Sequence, residues 1–269
     1  MEHSRTFRGQ SSRYAAESAA RRRICAIGRR MYRQGLVVAR EGNLSVRLAP
    51  DRILITPAGA CKGQLSAADL VVVDMDGKVV CGNGDPSSEV HMHLLYYRSR
   101  PDVLAVCHAH PPTATAFAAA GRALDTAVLP EVVTELGAVP LSPYGTPGSW
   151  ELCANLEPLV GNYNGILLAN HGVVTAGPDL ETAFYRMETI EQFARILLVA
   201  ESLGGPCLLT MSQLQKLNRS RTRSLFAQQQ TCHPRLSSLA WREGTGPASD
   251  EVNEGILVSC TPEVHEPKR

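Results

Sequence analysis

The 269-residue sequence predicts an α/β sandwich around a mixed or antiparallel sheet. Strand-like apolar runs and amphipathic helical stretches intermix without a strict βαβ beat, which argues against a doubly wound parallel sheet. Two short apolar runs, Leu70–Asp74 and Lys78–Cys81, flank Met75-Asp76-Gly77 and read as a hairpin closed by a tight Asp-Gly turn. A hydrophobic content of 44% with 20% charged residues suits a globular chain large enough to bury a sizeable core.

The elements follow in order. Residues 1–12 read as a polar, disordered lead. From Ser12 to Gln34, apolar Ala15, Ala19, Ile24, Ile27 and Met31 recur at helical spacing between arginines, and Gly35 stops the helix. The Arg21-Arg22-Arg23 run reads as its solvated face. Ser45–Leu48 and Arg52–Thr56 read as strands, the second closed by Pro57-Ala58-Gly59. Asp85-Pro86-Ser87-Ser88-Glu89 reads as the opening of a helix to about Arg98, with capping side chains, an early proline and a first-turn acid. A strand over 103–110 precedes an alanine-rich helix from Pro111 to Ala120. Leu129–Tyr144 is mixed, and Ser149–Val160 is helical. Gly165–Gly172 reads as a buried strand ending at His171. The clearest helix spans Pro178–Leu203, striped by Leu180, Phe184, Met187, Ile190, Ala194 and Leu197. A shorter helix is expected from Thr210 to about Gln230, and a proline-, serine- and charge-rich tail beyond it. The domain expected is thus residues 13–210, followed by a helical extension over 211–241 and a disordered tail over 242–269.

Several function classes are disfavoured. A net charge of +1 gives no reason to expect nucleic acid or an anionic membrane as partner. Eight cysteines stand singly, with no CxxC pair, which points to reduced thiols in a cytoplasmic protein. No secretory signal is visible, and no apolar run approaches membrane-spanning length.

The chemistry begins at Val103-Leu104-Ala105-Val106-Cys107-His108-Ala109-His110. In an extended chain the i, i+2 spacing sends His108 and His110 to one face, and Cys107 and Ala109 to the other. With His171 converging on the same sheet edge, three neutral imidazoles and an open position would make a catalytic site for zinc or a similar divalent ion. His91-Met92-His93 is a rival, but on a helix those two side chains point about 200° apart and cannot share an ion. His93 instead shares a face with Glu89, four residues earlier, and reads as a supporting residue; His91 reads as exposed. Ser87-Ser88 at a helix start offers hydroxyls and amides to a phosphate, with Gly42-Asn43 and Ala58-Gly59 as loops able to approach the same anion. Glu89 would then stand between phosphate and metal as a ligand or proton shuttle.

Five ordered motifs carry a resemblance: Gly42-Asn43-Leu44-Ser45-Val46-Arg47, Ile55-Thr56-Pro57-Ala58-Gly59, Pro86-Ser87-Ser88-Glu89, His108-Ala109-His110 and Asn170-His171-Gly172. They occur in the order seen in class II aldolase/adducin proteins, and Pro143-Tyr144-Gly145-Thr146-Pro147-Gly148 also resembles a loop of that family. The similarity covers roughly residues 15–205. It implies a three-layer α/β/α sandwich on a largely antiparallel sheet, a homotetramer with sites at subunit interfaces, and a small-molecule sugar phosphate as partner. It implies Zn2+ (with Mn2+ or Co2+ as substitutes) on His108, His110 and His171, with Glu89 as acid/base and additional ligand. Gly42, Asn43, Gly59, Ser87 and Ser88 match the family's phosphate-binding positions.

The reaction so implied is retro-aldol cleavage of a phosphorylated ketose through a metal-stabilised enediolate, giving dihydroxyacetone phosphate and an aldehyde. Pentulose-phosphate 4-epimerases, dehydratases and decarboxylases share the metal histidines. The epimerase type carries aspartate where Glu89 stands, and adducin-like scaffolds lack the histidines. Departures from the fuculose-phosphate aldolase pattern are Ala58 in place of a threonine and a 129–137 segment without the proton-donor tyrosine. Glu131, Glu135 and Tyr144 are the candidates to replace that tyrosine.

Overall fold

One eight-stranded sheet, in the order β4-β3-β2-β1-β5-β8-β7-β6, divides the chain into three layers in the computed structural model, which describes residues 3–217. Its strands are β1 (Asn43–Ala49), β2 (Arg52–Ile55), β3 (Val71–Val73), β4 (Val79–Cys81), β5 (Ala105–Ala109), β6 (Leu141–Ser142), β7 (Gly165–Leu168) and β8 (Gly172–Gly177). Only the β6–β7 pair is parallel, so the sheet is mixed and largely antiparallel, as expected.

Strand alternation sorts the apolar residues into two cores. On one face Leu44, Leu54, Cys107, Leu167 and Val173 pack beneath α1 (His3–Arg33), α3 (Pro112–Ala119), α4 (Pro130–Glu135) and α6 (Leu180–Ser202). On the other, Ile53, Ile55, Val106, Ile166 and Val174 pack against α2 (Val90–Ser99) and α5 (Trp150–Val160). The predicted stripe of α6 is buried along its length. Ser149 caps α5 and Asp179 caps α6, each accepting a first-turn backbone N–H. No helix among the described residues is long and apolar enough to cross a membrane.

Three differences from the sequence reading have physical causes. Helix α1 begins at His3, not Ser12: the polar segment lacks the apolar periodicity that marks a helix, but it has no proline, and its one glycine, Gly9, lowers helix propensity without breaking the helix. Helix α2 begins at Val90, with Glu89 as an N-cap that makes no side-chain capping bond. The preceding residues are extended, and Pro86 faces Pro57 in an isolated bridge. The run from Gly165 to Gly172 is a strand and a turn, and Gly172–Gly177 then returns as β8, a strand the sequence reading did not foresee. Residues 211–217 are helical, in line with the helix expected from Thr210, and the rest of the expected extension and tail lies outside the described residues.

Candidate active site

Antiparallel pairing places the end of β5, the start of β1 and the start of β8 on one edge of the sheet. Asn43 stands opposite His108, and His108 opposite Val174. His171 lies in the β7–β8 turn, where Asn170 takes φ of +56°, a conformation asparagine tolerates better than most residues, and the His171 N–H closes the turn onto Leu168 O at 3.0 Å. Gly172 is obligatory for close approach: a Cβ there would sit 2.6 Å from both Ala109 O and His110 Cδ2. His110 leaves the strand, its N–H donating to Leu36 O at 3.1 Å.

The three predicted histidines therefore meet. Their ring centroids are 4.9, 4.8 and 5.0 Å apart, and one nitrogen from each lies within 4.8 Å of the others. His108 Nδ1 donates to Val173 O at 2.9 Å, leaving Nε2 to face the cluster. His110 Nδ1 lies 3.5 Å from Glu41 Oε2, and its Nε2 is 3.1 Å from His108 Nε2. Two ring nitrogens so close, each with its ring partner committed to an outer acceptor, need a cation between them, a proton or a metal. The residues fit a divalent ion on three imidazoles: Val173 O and the Glu41 carboxylate fix two tautomers, and a buried carboxylate adjoins the cluster.

That carboxylate is Glu89. Its Oε2 lies 3.2 Å from His108 Nε2 and accepts from Asn43 Nδ2 at 2.8 Å, while Oε1 lies 3.3 Å from His171 Nε2 with no hydrogen-bond partner among the described residues. Burial alone would raise its pKa, but His108, His171 and Asn43 together hold it well below the usual carboxylate range. Burial alone would lower the pKa of His108, yet the Glu89 charge and the bonds to Glu89 and Val173 O raise it. Burial, with His108 adding to it, lowers His110 to about 4 and His171 to about 3.

The five phosphate candidates line adjoining loops. Leu44 N donates to Thr56 Oγ1 at 3.2 Å, and the 56–59 loop pairs with 85–88 through Ala58 N to Asp85 O at 3.0 Å and Ser87 N to Thr56 O at 3.1 Å. Gly42 and Gly59 both take left-handed φ, +70° and +66°. Ser88 is exposed; Ser87 is buried and accepts from Glu89 N at 3.3 Å. The predicted 143–148 loop reaches this corner, because a Cβ on Gly148 would lie 2.9 Å from Ser88 O. The Asn43 side chain, however, is committed to Glu89 and, through Oδ1 at 2.5 Å, to His93 Nε2.

Sequence reasoning missed two residues here. Glu41 contacts His110, and its place one residue before Gly42 was the available signal. Lys62, only 2% exposed, donates from Nζ to Arg40 O at 2.8 Å and Ala60 O at 2.5 Å, bridging the Gly42 and Gly59 loops. Burial lowers its pKa to about 8, against the opposing pull of Cys61, Glu89 and Glu41. A lone lysine in a Gly-rich loop carries no pattern that predicts such burial. His91 is exposed and His93 fully buried, as the helix geometry required. Of the three tyrosine substitutes, Glu135 is paired with Arg186 at 3.4 Å, and Glu131 and Tyr144 are exposed without a hydrogen bond to the histidine cluster.

Residues 22–198 match the family profile described as class II aldolase and adducin N-terminal domain. The chain is 35% identical to the 3-oxo-tetronate 4-phosphate decarboxylase of Pectobacterium atrosepticum, over 71% of this chain and 89% of that one. It is 34% identical to the 5-deoxy-D-ribulose 1-phosphate aldolase of Bacillus thuringiensis serovar kurstaki, over 73% of this chain and 92% of the relative. A solved L-fuculose 1-phosphate aldolase superposes with a TM-score of 0.70 at 30% identity, covering 75% of this chain and 95% of that one.

Proposed function

The chain belongs to the class II aldolase and adducin family, and from that premise we propose that it is a divalent-metal-dependent lyase, cleaving a phosphorylated ketose to dihydroxyacetone phosphate and an aldehyde. The observation that carries this reading is the meeting of three imidazoles and a buried carboxylate, its Oε1 without a hydrogen-bond partner, at one sheet edge beside the loops of Gly42, Gly59 and Ser87. His108, His110 and His171, with Glu89 while no substrate is present, would hold Zn2+, for which Mn2+ or Co2+ could substitute. When bound, such an ion polarises a carbonyl and stabilises negative charge developing on its oxygen, so no Schiff-base lysine is required.

The chain's own residues do the rest. Gly42, Gly59, Ser87 and Ser88 grip the phosphate, with Lys62 as a buried positive charge, while Asn43, expected to join them, has its side chain held by Glu89 and His93. Glu89 Oε1 holds the proton returned to the carbon from which the aldehyde departs. A homotetramer and a cytoplasmic location complete the reading.

A second reading has a specific observation in its favour, the 35% identity to a decarboxylase of a 3-oxo acid 4-phosphate. Loss of CO2 from such an acid and retro-aldol cleavage both leave an electron pair on the carbon beside a ketone. One charge-stabilising site and one proton donor serve either. The test is an assay of zinc-loaded protein against a panel of ketose 1-phosphates and 3-oxo-tetronate 4-phosphate. The lyase reading expects chelator-sensitive release of dihydroxyacetone phosphate with an equimolar aldehyde. Release of CO2 without cleavage of any ketose, or epimerisation of a pentulose 5-phosphate instead, overturns it.

A further inference from the structure

Behind Glu89 runs a buried array of four polar side chains whose hydrogen-bond directions follow from donor chemistry alone. The Glu89 carboxylate accepts, so Asn43 presents its Nδ2 to Oε2 at 2.8 Å and its Oδ1 to His93. Oδ1 also only accepts, so His93 Nε2, 2.5 Å away, carries the ring proton. His93 Nδ1 is then the bare nitrogen of a neutral ring and accepts from Ser45 Oγ at 2.7 Å. With its hydrogen so spent, Ser45 Oγ accepts from Tyr97 O–H, also at 2.7 Å. His93 and Ser45 are fully buried and Tyr97 is 3% exposed, so water does not compete for these bonds. Burial, reinforced by His108, lowers the His93 pKa to about 3, in keeping with a neutral ring.

Each donor in the array passes its hydrogen to the next residue toward the carboxylate, and the last of them, Asn43 Nδ2, ends on Oε2. The other oxygen, Oε1, is buried without a hydrogen-bond partner among the described residues and lies 3.3 Å from His171 Nε2. We propose that His93, held as its Nε2–H tautomer by Ser45 and Tyr97, is a positioning residue. It locks the Asn43 amide so that Oε2 stays an acceptor and Oε1 alone carries the proton of the reaction. Without the Nε2–H, the amide is free to turn over and present Oδ1 to Glu89, which repels the carboxylate or moves its proton to the wrong oxygen. The inference rests on the proposed acid/base role of Glu89, but the array itself is independent of which carbon–carbon bond is broken.

The test begins with the wild-type, full-length protein labelled with 15N-histidine. A long-range 1H–15N correlation at pH 7, with His93 assigned by its loss in His93→Gln, should show a protonated Nε2 and a bare Nδ1. A protonated Nδ1, or an imidazolium, overturns the array. Kinetics of two variants then test the role. Glutamine places an N–H near the position of Nε2, so His93→Gln should retain most of the wild-type kcat, whereas His93→Leu should lose about 10–100-fold in kcat with KM changed less than about twofold. Equal kcat in the two variants overturns the positioning role. A wild-type protein inactive on every substrate of the panel overturns the lyase reading instead, while the His93 tautomer still decides the array.

Discussion

Gly42 and Gly59 offer a paired test of what holds the site in shape. Both take φ near +70°, so alanine at either costs about 1–2 kcal/mol for entering the left-handed region. Their surroundings differ. A Cβ on Gly59 meets nothing within 4 Å, whereas one on Gly42 would lie 2.6 Å from Val37 Cγ1 and 2.7 Å from His108 O. The valine methyl can yield, but the carbonyl belongs to β5, and moving it moves His108. Such overpacking adds about 1–3 kcal/mol, so Gly42→Ala should cost about 2–5 kcal/mol in total, against about 1–2 kcal/mol for Gly59→Ala. Urea unfolding of the metal-free proteins reads both values, and zinc competition with a chromophoric chelator reads the site. Only Gly42→Ala should weaken zinc binding, by roughly tenfold, because only it displaces a ligand strand. Equal destabilisation by the two changes, or unaltered zinc affinity in Gly42→Ala, would refute the claim that Gly42 is required by its approach to His108.

Other outcomes follow from the same geometry. His108→Ala, His110→Ala and His171→Ala should each abolish stoichiometric zinc by elemental analysis; full occupancy in all three would remove the ligand assignment. The fully buried His93, lowered to about 3, resists a proton that the unfolded chain accepts near pH 6.5. The stability it contributes is therefore complete above pH 6.5 and declines on acidification, by up to about 1.4 kcal/mol per pH unit. Urea midpoints between pH 6.5 and 4.5 should fall less steeply in His93→Gln, and an unchanged slope would contradict the buried neutral ring. Lys62→Met removes the ammonium that joins Arg40 O to Ala60 O, and should raise KM for the phosphorylated substrate about 10-fold or more. A KM unchanged from wild type would deny Lys62 a part in the anion pocket.

Much of the layered fold is legible in the chain because its elements have strong periodicity or strong punctuation. The α6 stripe, the Asp76-Gly77 hairpin and the Gly35 stop each follow from local chemistry. Strand β8 escaped notice, although Gly172-Val173-Val174-Thr175-Ala176-Gly177 is a β-branched run bounded by glycines. Its neighbour Gly165–Leu168 is equally apolar, and no proline or Asn-Gly pair separates the two. The turn at Ala169-Asn170-His171 depends on one asparagine in a left-handed conformation. Convergence of His108, His110 and His171 on one edge could be anticipated from strand alternation, but the order of strands that brings β8 beside β5 is a property of the whole sheet.

The proposed phosphate site shows where local reading fails and why. Sequence alone assigns the phosphate to a helix N-terminus at Ser87-Ser88, where free amides and the helix dipole favour negative charge. In the structure α2 starts only at Val90, and two of the amides offered to the anion are already used: Ser87 N bonds Thr56 O, and Ala58 N bonds Asp85 O. Those bonds are the price of drawing the loop after β2 against the segment before α2. A phosphate bound there, as proposed, would find fewer free amides and two nearby carboxylates, Glu41 and Glu89, and would need positive charge from elsewhere. In the proposed site Lys62 would supply it, held by the carbonyls of Arg40 and Ala60, one in each loop. Helix-terminus chemistry is visible as a run of neighbouring residues. A charge delivered by bridging two loops is visible only once the loops have met, so it was the part of the site that the sequence could not disclose.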